Sequence, residues 1–91
     1  MRNYHKQLVE SKHDKTVGNH SVQHFNHSRY FYYHGNNVCT VDDENKTYEL
    51  SFCGWYTIST KHCLAGYRQY FSNIGYTQIN QIPIYNSEEV K

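Results

Sequence analysis

At residue 28 the sequence changes from a polar pattern to the alternation typical of β-strands, and at residue 59 it changes again to a helical pattern. Three segments after residue 28 are rich in aromatic or β-branched residues: SRYFYYHG, NVCTVD and KTYELSFC. The clusters HGNN and DDENK between them contain the Gly, Asn and Asp residues that favour tight turns. The sequence therefore predicts an antiparallel meander of three strands.

The segment STKHCLAGYRQYFSNIG predicts a helix, with Ser59 as its N-cap and Gly75 just beyond its end. Apolar or small residues follow helical spacing along it: Thr60, Cys63, Leu64, Tyr67, Phe71 and Ile74. A stripe of this width can cover one face of a sheet. In the strand before it, Tyr48, Leu50 and Phe52 alternate with polar residues, which predicts that they face the same core.

Both ends of the chain are less strongly patterned. Residues 1–27 are polar, although RNYHKQLVESK could form a short helix with Tyr4 and Leu8 on one face. YTQINQIPIY contains Pro83 and predicts at most an edge strand. We therefore predict an α+β fold with a three- or four-stranded antiparallel sheet, one helix packed on one face and a short N-terminal helix as an option. The expected divisions are an N-terminal segment (1–27), a β-β-β-α core (28–85) and a tail (86–91).

The composition limits the classes of function. Basic and acidic residues nearly balance, with a formal net charge of +1, so the chain as a whole lacks the electrostatic signature of a nucleic-acid binder. Aromatic residues make up 16% of the chain and include ten tyrosines, which suit interfaces because the ring packs while the hydroxyl stays hydrated. No apolar stretch predicts a membrane span or a signal peptide. Three cysteines without a C-x-x-C spacing are typical of reduced thiols, so we expect a cytoplasmic protein that does not contact a membrane.

The aromatic run RYFYY should place two rings on each face of the sheet. We expect one pair in the core and assign Tyr30 and Tyr32 to the other face, beside Thr40 and Ser51. This face is open unless residues 1–27 fold over it. Open aromatic surfaces stack on single-stranded nucleic acids, and they also bind protein partners or a second copy of the same chain.

The stretch CGWYTISTK joins the last strand to the helix and permits two interpretations. In the structural one, Gly54 bends the chain, Trp55 fills the corner between sheet and helix, and the hydroxyls that follow bond the free N–H groups of the helix start. In the functional one, the helix N-terminus and Lys61 receive a phosphate or carboxylate. Arg68 lies on the same side of the helix as Lys61, and His34 of the first hairpin could converge with them.

No pattern in the chain favours catalysis or a cofactor. His20, His24 and His27 could approach one zinc ion if the region were helical, but no cysteine pair accompanies them and solvated histidines are the favoured interpretation. Cys63 falls on the apolar stripe of the helix, where a cysteine usually acts as a small buried hydrophobe. We therefore predict a protein that is not an enzyme, with no catalytic residue, no cofactor and no metal.

A set of short motifs spread over residues 30–72 resembles a family of small proteins encoded by bacteriophages and other mobile elements. The motifs are His34-Gly35-Asn36, Val41-Asp42, Leu50-Ser51, Cys53-Gly54-Trp55, Thr57, Ser59-Thr60-Lys61 and Leu64. The resemblance implies a hairpin followed by a "GW-x-T-x-[ST]-T" segment and a helix, and it implies no activity. The same motifs show a weaker resemblance to phage anti-CRISPR proteins.

We therefore expect a phage or mobile-element protein that occupies the surface of a host protein, such as a CRISPR nuclease. The alternative is a small nucleic-acid-binding module. The residues expected to bind are Tyr30, Tyr32, His34, Trp55, Lys61 and Arg68. A homodimer is compatible with both of these functions.

Overall fold

A computed structural model describes residues 2–80, and in them two helices and one mixed sheet form an α+β fold, as predicted. In chain order the elements are α1 (Asn3–Glu10), β1 (Lys15–Val17), β2 (His20–Phe25), β3 (Ser28–Tyr33), β4 (Asn36–Asp42), β5 (Thr47–Leu50), α2 (Ile58–Asn73) and β6 (Thr77–Gln78). Residues 81–91 lie outside the described part, and with them Pro83 and the predicted tail. Neither helix within residues 2–80 combines the length and the apolar character that crossing a membrane requires.

The described strands number six, not three or four, and they follow one another across the sheet in chain order. Neighbouring strands from β1 to β5 are antiparallel. β6 pairs parallel with β5, because α2 carries the chain back to the start of β5. The predicted meander is confirmed for β3 to β5, and β6 lies at the sheet edge where an edge strand was expected. β1 and β2 come from the polar N-terminal segment, for which a short helix but no strand was expected.

The core lies between one sheet face and the two helices. One row of the sheet pairs Val22 with Phe31, Phe31 with Cys39, and Cys39 with Leu50, and all four side chains are buried. Tyr67 of α2 packs on Phe31 with the ring centroids 4.6 Å apart. We call the opposite face the outer face, because both helices pack on the face that carries this row.

A bulge between β3 and β4 adapts the sheet to this core. The register shifts after Phe31, so that Val38 and Cys39 are both buried although they are adjacent in the strand. The side-chain amide of Asn37 donates to the backbone carbonyls of Phe31 (3.1 Å) and Cys39 (3.2 Å). The bulge directs Val38 towards the start of α2, where the candidate site lies.

Helix α2 forms close to the predicted position, but its cap differs. Thr57, not Ser59, is the N-cap, and its hydroxyl accepts from the N–H of Thr60 at 3.2 Å. Five predicted core positions of the helix are buried: Thr60, Cys63, Leu64, Tyr67 and Phe71. Ile74 is 48% exposed because the helix ends at Asn73 and the chain turns at Gly75 before it can face the sheet.

The predicted N-terminal helix is confirmed as α1, and it packs beside α2 through His5. His5 is fully buried; its Nε2 lies 2.8 Å from the carbonyl of Cys63 and donates to it, while Nδ1 accepts from the backbone N–H of Arg2 at 3.1 Å. Its ring rests on Gly66 of α2, where an added Cβ would overlap the imidazole. The contact needs a glycine at this position, because the two helices approach too closely for a side chain.

At the other end of α1, Arg29 joins three elements. Its guanidinium donates to both carboxylate oxygens of Asp43, at 2.7 and 2.6 Å, and to the carbonyl of Val9 at 3.0 Å. Partial burial opposes ionisation of Asp43, but the hydrogen bonds from Arg29 and Tyr76 outweigh it and lower the pKa of this carboxyl. The ion pair therefore connects β3, the β4–β5 turn and the end of α1.

Replacing Asp43 with asparagine should lower the free energy of unfolding by about 2 kcal/mol, since a charge-assisted pair is lost and Arg29 stays partly buried without its counter-charge. Urea unfolding at neutral pH measures this. Glu49→Gln removes an exposed carboxylate on the neighbouring strand and should change stability by less than about 0.5 kcal/mol. Equal stabilities of the two variants would show that the ion pair contributes little.

Candidate functional site

The candidate site is a groove of about 390 Å³ between the start of α2 and the β3–β4 hairpin. Aromatic and aliphatic side chains line it, with hydroxyls on the α2 side. The lining consists of Tyr33, His34, Asn36, Val38, Phe52, Trp55, Thr57, Ser59 and Thr60. We call it the Trp55 groove.

A sharp turn after β5 shapes one wall of this groove. Cys53 and Gly54 both adopt positive φ, at 54° and 83°, and the N–H of Trp55 donates to the carbonyl of Phe52 at 2.8 Å. The predicted bend at Gly54 is therefore confirmed. The Cys53 backbone is held by the Ser51 hydroxyl, which accepts its N–H at 3.0 Å. The turn reverses the chain within a few residues and directs the following side chains outward.

Trp55 does not fill the corner between sheet and helix, so this part of the structural interpretation is wrong, although the bend at Gly54 and the hydroxyl cap of the helix start are both formed. Its side chain is 59% exposed, and the corner position is taken by Phe52, which is 5% exposed. Tyr56 and Ile58 are exposed even further, at 74% and 73%. Three large exposed side chains thus occur within residues 55–58, from the loop before α2 to the first residue of that helix, beside a mostly apolar groove. Such an arrangement commonly marks an interaction surface.

His34 lies at the opposite wall of the groove. It occupies the β3–β4 turn with a φ of 52°, and its N–H donates to the carbonyl of Asn19 at 2.9 Å. This bond ties the hairpin to the β1–β2 turn. The fold therefore brings His34 and Trp55 together, two of the six residues expected to bind.

Tyr30 and Tyr32 lie on the outer face, as expected. Tyr30 pairs with Thr40, Tyr32 pairs with Asn37, and both tyrosines are half-buried. Residues 3–25 do not fold over this face; they extend the sheet and add α1 to the same side as α2. Glu49 pairs with Thr40 and so shares the outer face with the tyrosines.

Lys61 and Arg68 lie on α2, apart from both of these places. Lys61 is half-buried in the first turn and Arg68 is exposed two turns later, and neither residue is part of the groove lining. The expected convergence of His34 with these two cations is therefore not formed in the Trp55 groove. The six residues divide into the groove, the outer face and the surface of α2.

A second, polar pocket of about 230 Å³ adjoins the groove and shares Tyr33 and Ser59 with it. We call it the Arg2 pocket; it is lined by Arg2, Tyr4, His20, Tyr33, Ser59 and His62. In the structure, a guanidinium nitrogen of Arg2 lies 3.2 Å from Nδ1 of His62. The two residues are 60 positions apart in the sequence, so no sequence pattern reveals this pocket.

Stacked rings form the wall of the Arg2 pocket. His20 lies between Tyr4 and Tyr33, with centroid distances of 3.5 and 4.6 Å and nearly parallel planes. Burial, with the neighbouring His5 and His34, lowers the pKa of His20 to about 4. His20 is therefore neutral at physiological pH and serves as an aromatic spacer between the tyrosines.

The histidines considered for zinc do not assemble. His20 and His24 lie on one strand about 13 Å apart along its axis, given a rise of about 3.3 Å per residue, and His24 is bonded to Asp14. No group of three His, Cys, Asp or Glu side chains suited to a metal occurs among residues 2–80.

The buried thiols are held in their protonated form. Burial raises the pKa of Cys63 to about 12 and that of Cys39 well above its usual range. Both side chains belong to the core, as expected for Cys63. Thiols in this state are poor nucleophiles and poor metal ligands.

Comparison with protein-family models, with curated proteins and with solved structures finds no match for this chain.

Proposed function

We propose that this protein is a non-enzymatic binding protein that grips the surface of another protein through the Trp55 groove. The observation that carries the proposal is the exposure of Trp55, which lines that groove, together with the exposure of Tyr56 and Ile58, which neighbour lining residues in the chain. Aromatic side chains at the centre of an interface commonly contribute most of the binding energy.

The packing of the fold does not require these three side chains. The core is built from other residues, including Phe52 of the same loop. Trp55 and Ile58 are not part of it, and Tyr56 contacts it at its edge through the ring of Phe52, with the centroids 5.0 Å apart. Each large apolar group left in water forgoes roughly 1.5–3 kcal/mol of stabilisation that burial would supply. A partner that covers the loop and fills the groove recovers this free energy.

The class of partner follows from the resemblance to small phage proteins. In that setting the bound surface belongs to a protein of the host cytoplasm, and a defence nuclease such as a CRISPR nuclease is the example suggested by anti-CRISPR proteins. A non-enzymatic role agrees with the raised thiol pKa values and with the apolar character of the groove.

A nucleic-acid-binding module is less well supported. Lys61 and Arg68 are not among the residues that line the groove, and Glu49 places a carboxylate on the face that carries Tyr30 and Tyr32. Phosphate backbones are repelled by such a carboxylate and bind where several cations converge.

Trp55→Ala should weaken binding to the host partner by about 2 kcal/mol or more, roughly 30-fold in Kd. The wild type is used to capture proteins from a bacterial host lysate at moderate and high salt, and the Kd of the purified partner is then measured for both proteins. Phe25→Ala is the matched control, since Phe25 is 67% exposed on the far end of β2.

The proposal predicts an unchanged thermal midpoint for both variants and a loss of affinity for Trp55→Ala alone. Equal affinity of Trp55→Ala and the wild type would exclude the groove as the binding surface. If the wild type retained only nucleic acid, with affinity that falls steeply as salt rises, the alternative function would replace it.

A further inference from the structure

The carboxylates within residues 2–80 are unevenly distributed along the strand direction of the sheet. The carboxylates of Glu10, Asp14 and the β4–β5 turn lie at the end where α1 finishes, because Arg29 joins Val9 of α1 to Asp43 of that turn. At the other end, the start of α1 meets the start of α2 through Arg2 and His62.

The two adjoining pockets occupy this second end, and their linings contain no acidic side chain. Instead the Arg2 pocket presents the positively charged guanidinium of Arg2 beside His62 and the neutral ring of His20. Helix α2 also has no acidic residue in its first turn, where many helices carry one to compensate their positive end. Positive potential at the pockets is therefore not neutralised by residues that line them.

The two adjacent pockets form one continuous surface, and they differ in polarity. The Trp55 groove is mostly apolar, the Arg2 pocket is mostly polar, and Tyr33 and Ser59 form the border between them. A protein segment that crosses this border meets an apolar cavity first and a cationic one next to it.

We propose that the partner presents an Asp or Glu side chain next to the apolar side chain that enters the Trp55 groove, and that Arg2 receives this carboxylate. The inference rests on the proposed function and specifies the partner segment as acidic and hydrophobic. A guanidinium has several N–H donors in one plane, and while one contacts His62, the fork can accept a carboxylate in a charge-assisted pair. His62 and Ser59 supply further polar groups around the same position.

A random peptide library displayed on phage particles and selected on the purified protein tests the inference. We expect selected peptides to carry Asp or Glu within a few positions of a large apolar residue. Selection on Arg2→Gln should lose the acidic preference and keep the apolar one, and selection on Trp55→Ala should lose the apolar preference. Lys12→Gln removes an exposed cation near the opposite end and should select the same peptides as the wild type.

A double-mutant cycle then tests the pair directly. For one selected peptide, replacing its acidic residue with the matching amide should weaken binding about tenfold, and Arg2→Gln should do the same. Combining both changes should cost no more than either alone, because they remove the same contact. If the fold-losses in affinity of the two single changes multiplied in the double variant, the proposed contact between Arg2 and the acidic residue would be overturned.

The outcomes separate this inference from the proposed function. Trp55-dependent peptides without an acidic preference overturn the inference and leave the groove as a protein-binding site. A selection without any Trp55-dependent peptide counts against both. Binding of a short mixed-sequence single-stranded DNA that is lost in Arg2→Gln would assign the pocket to phosphate and overturn the acidic-peptide proposal.

Discussion

Replacing Gly66 with alanine is expected to lower the free energy of unfolding by about 3 kcal/mol. The new methyl group would overlap the ring of His5, which is fully buried and bonded through both nitrogens. Overpacking of a dense core costs about 1–3 kcal/mol. The displaced ring also loses two hydrogen bonds of about 1 kcal/mol each, and the higher helix propensity of alanine returns about 1 kcal/mol.

Thermal unfolding followed by circular dichroism measures the effect, and a midpoint lower by roughly 15 °C is expected for a chain of this size. Gln69→Ala, an exposed change on the same helix, is the control and should shift the midpoint little. His5→Ala combined with Gly66→Ala should be less destabilising than the sum of the single changes, since the smaller side chain leaves room for the methyl group. Strict additivity would show that the helices do not meet at this contact.

Acid is expected to destabilise the protein by about 3 kcal/mol through His5 alone. Burial lowers the pKa of His5 from 6.5 to about 4, and each unit corresponds to about 1.4 kcal/mol. Between these two pH values the unfolded chain binds a proton that the folded chain does not, so stability is complete above pH 6.5 and falls as the pH drops towards 4. His20 contributes a loss of the same sign in the same window.

The groups around His5 do not reverse this dependence. They are Arg2 just before α1, Tyr4 of α1, His20 of β2, and Cys63 and Tyr67 of α2. None of these is a carboxylate that could stabilise an imidazolium. Urea unfolding at several pH values should show the loss for the wild type and a flatter curve for His5→Gln, whose amide keeps a donor for the Cys63 carbonyl. His13→Gln serves as the control for removal of an exposed histidine, and an unaltered slope in His5→Gln would contradict the assignment.

The strands that the sequence predicts correctly are those whose two faces differ in chemistry. In β5, Tyr48 and Leu50 are buried while Glu49 is exposed, so the alternation is visible in the sequence. β2 contains a single fully buried residue, Val22, among polar neighbours, and β1 contains none. β2 forms because β3 supplies its hydrogen-bond partners, and β1 forms on β2 in turn, which a local pattern cannot reveal.

The Trp55 groove and the Arg2 pocket were less predictable from the sequence than the strands. A turn at Gly54 followed from the residue type, but its direction depends on Cys53 also adopting positive φ, and this decides that Phe52 rather than Trp55 enters the core. The Arg2 pocket depends on contacts between α1, β2 and α2. Such contacts follow from the packing of helices on the sheet and leave no motif in the sequence.

The lengths of the strands bear on how molecules of this protein meet one another. Among residues 2–80 the sheet begins with the three-residue β1 and ends with the two-residue β6, while the strands between them run to four to seven residues. Short edge strands expose few unpaired backbone N–H and C=O groups, so another chain has little to pair with. β1 also carries Lys15, a charged residue of the kind that discourages pairing at a sheet edge. Within the described residues, the short edge strands thus limit strand addition to the sheet, and the association that we propose takes place instead at the exposed loop that contains Trp55 and Tyr56.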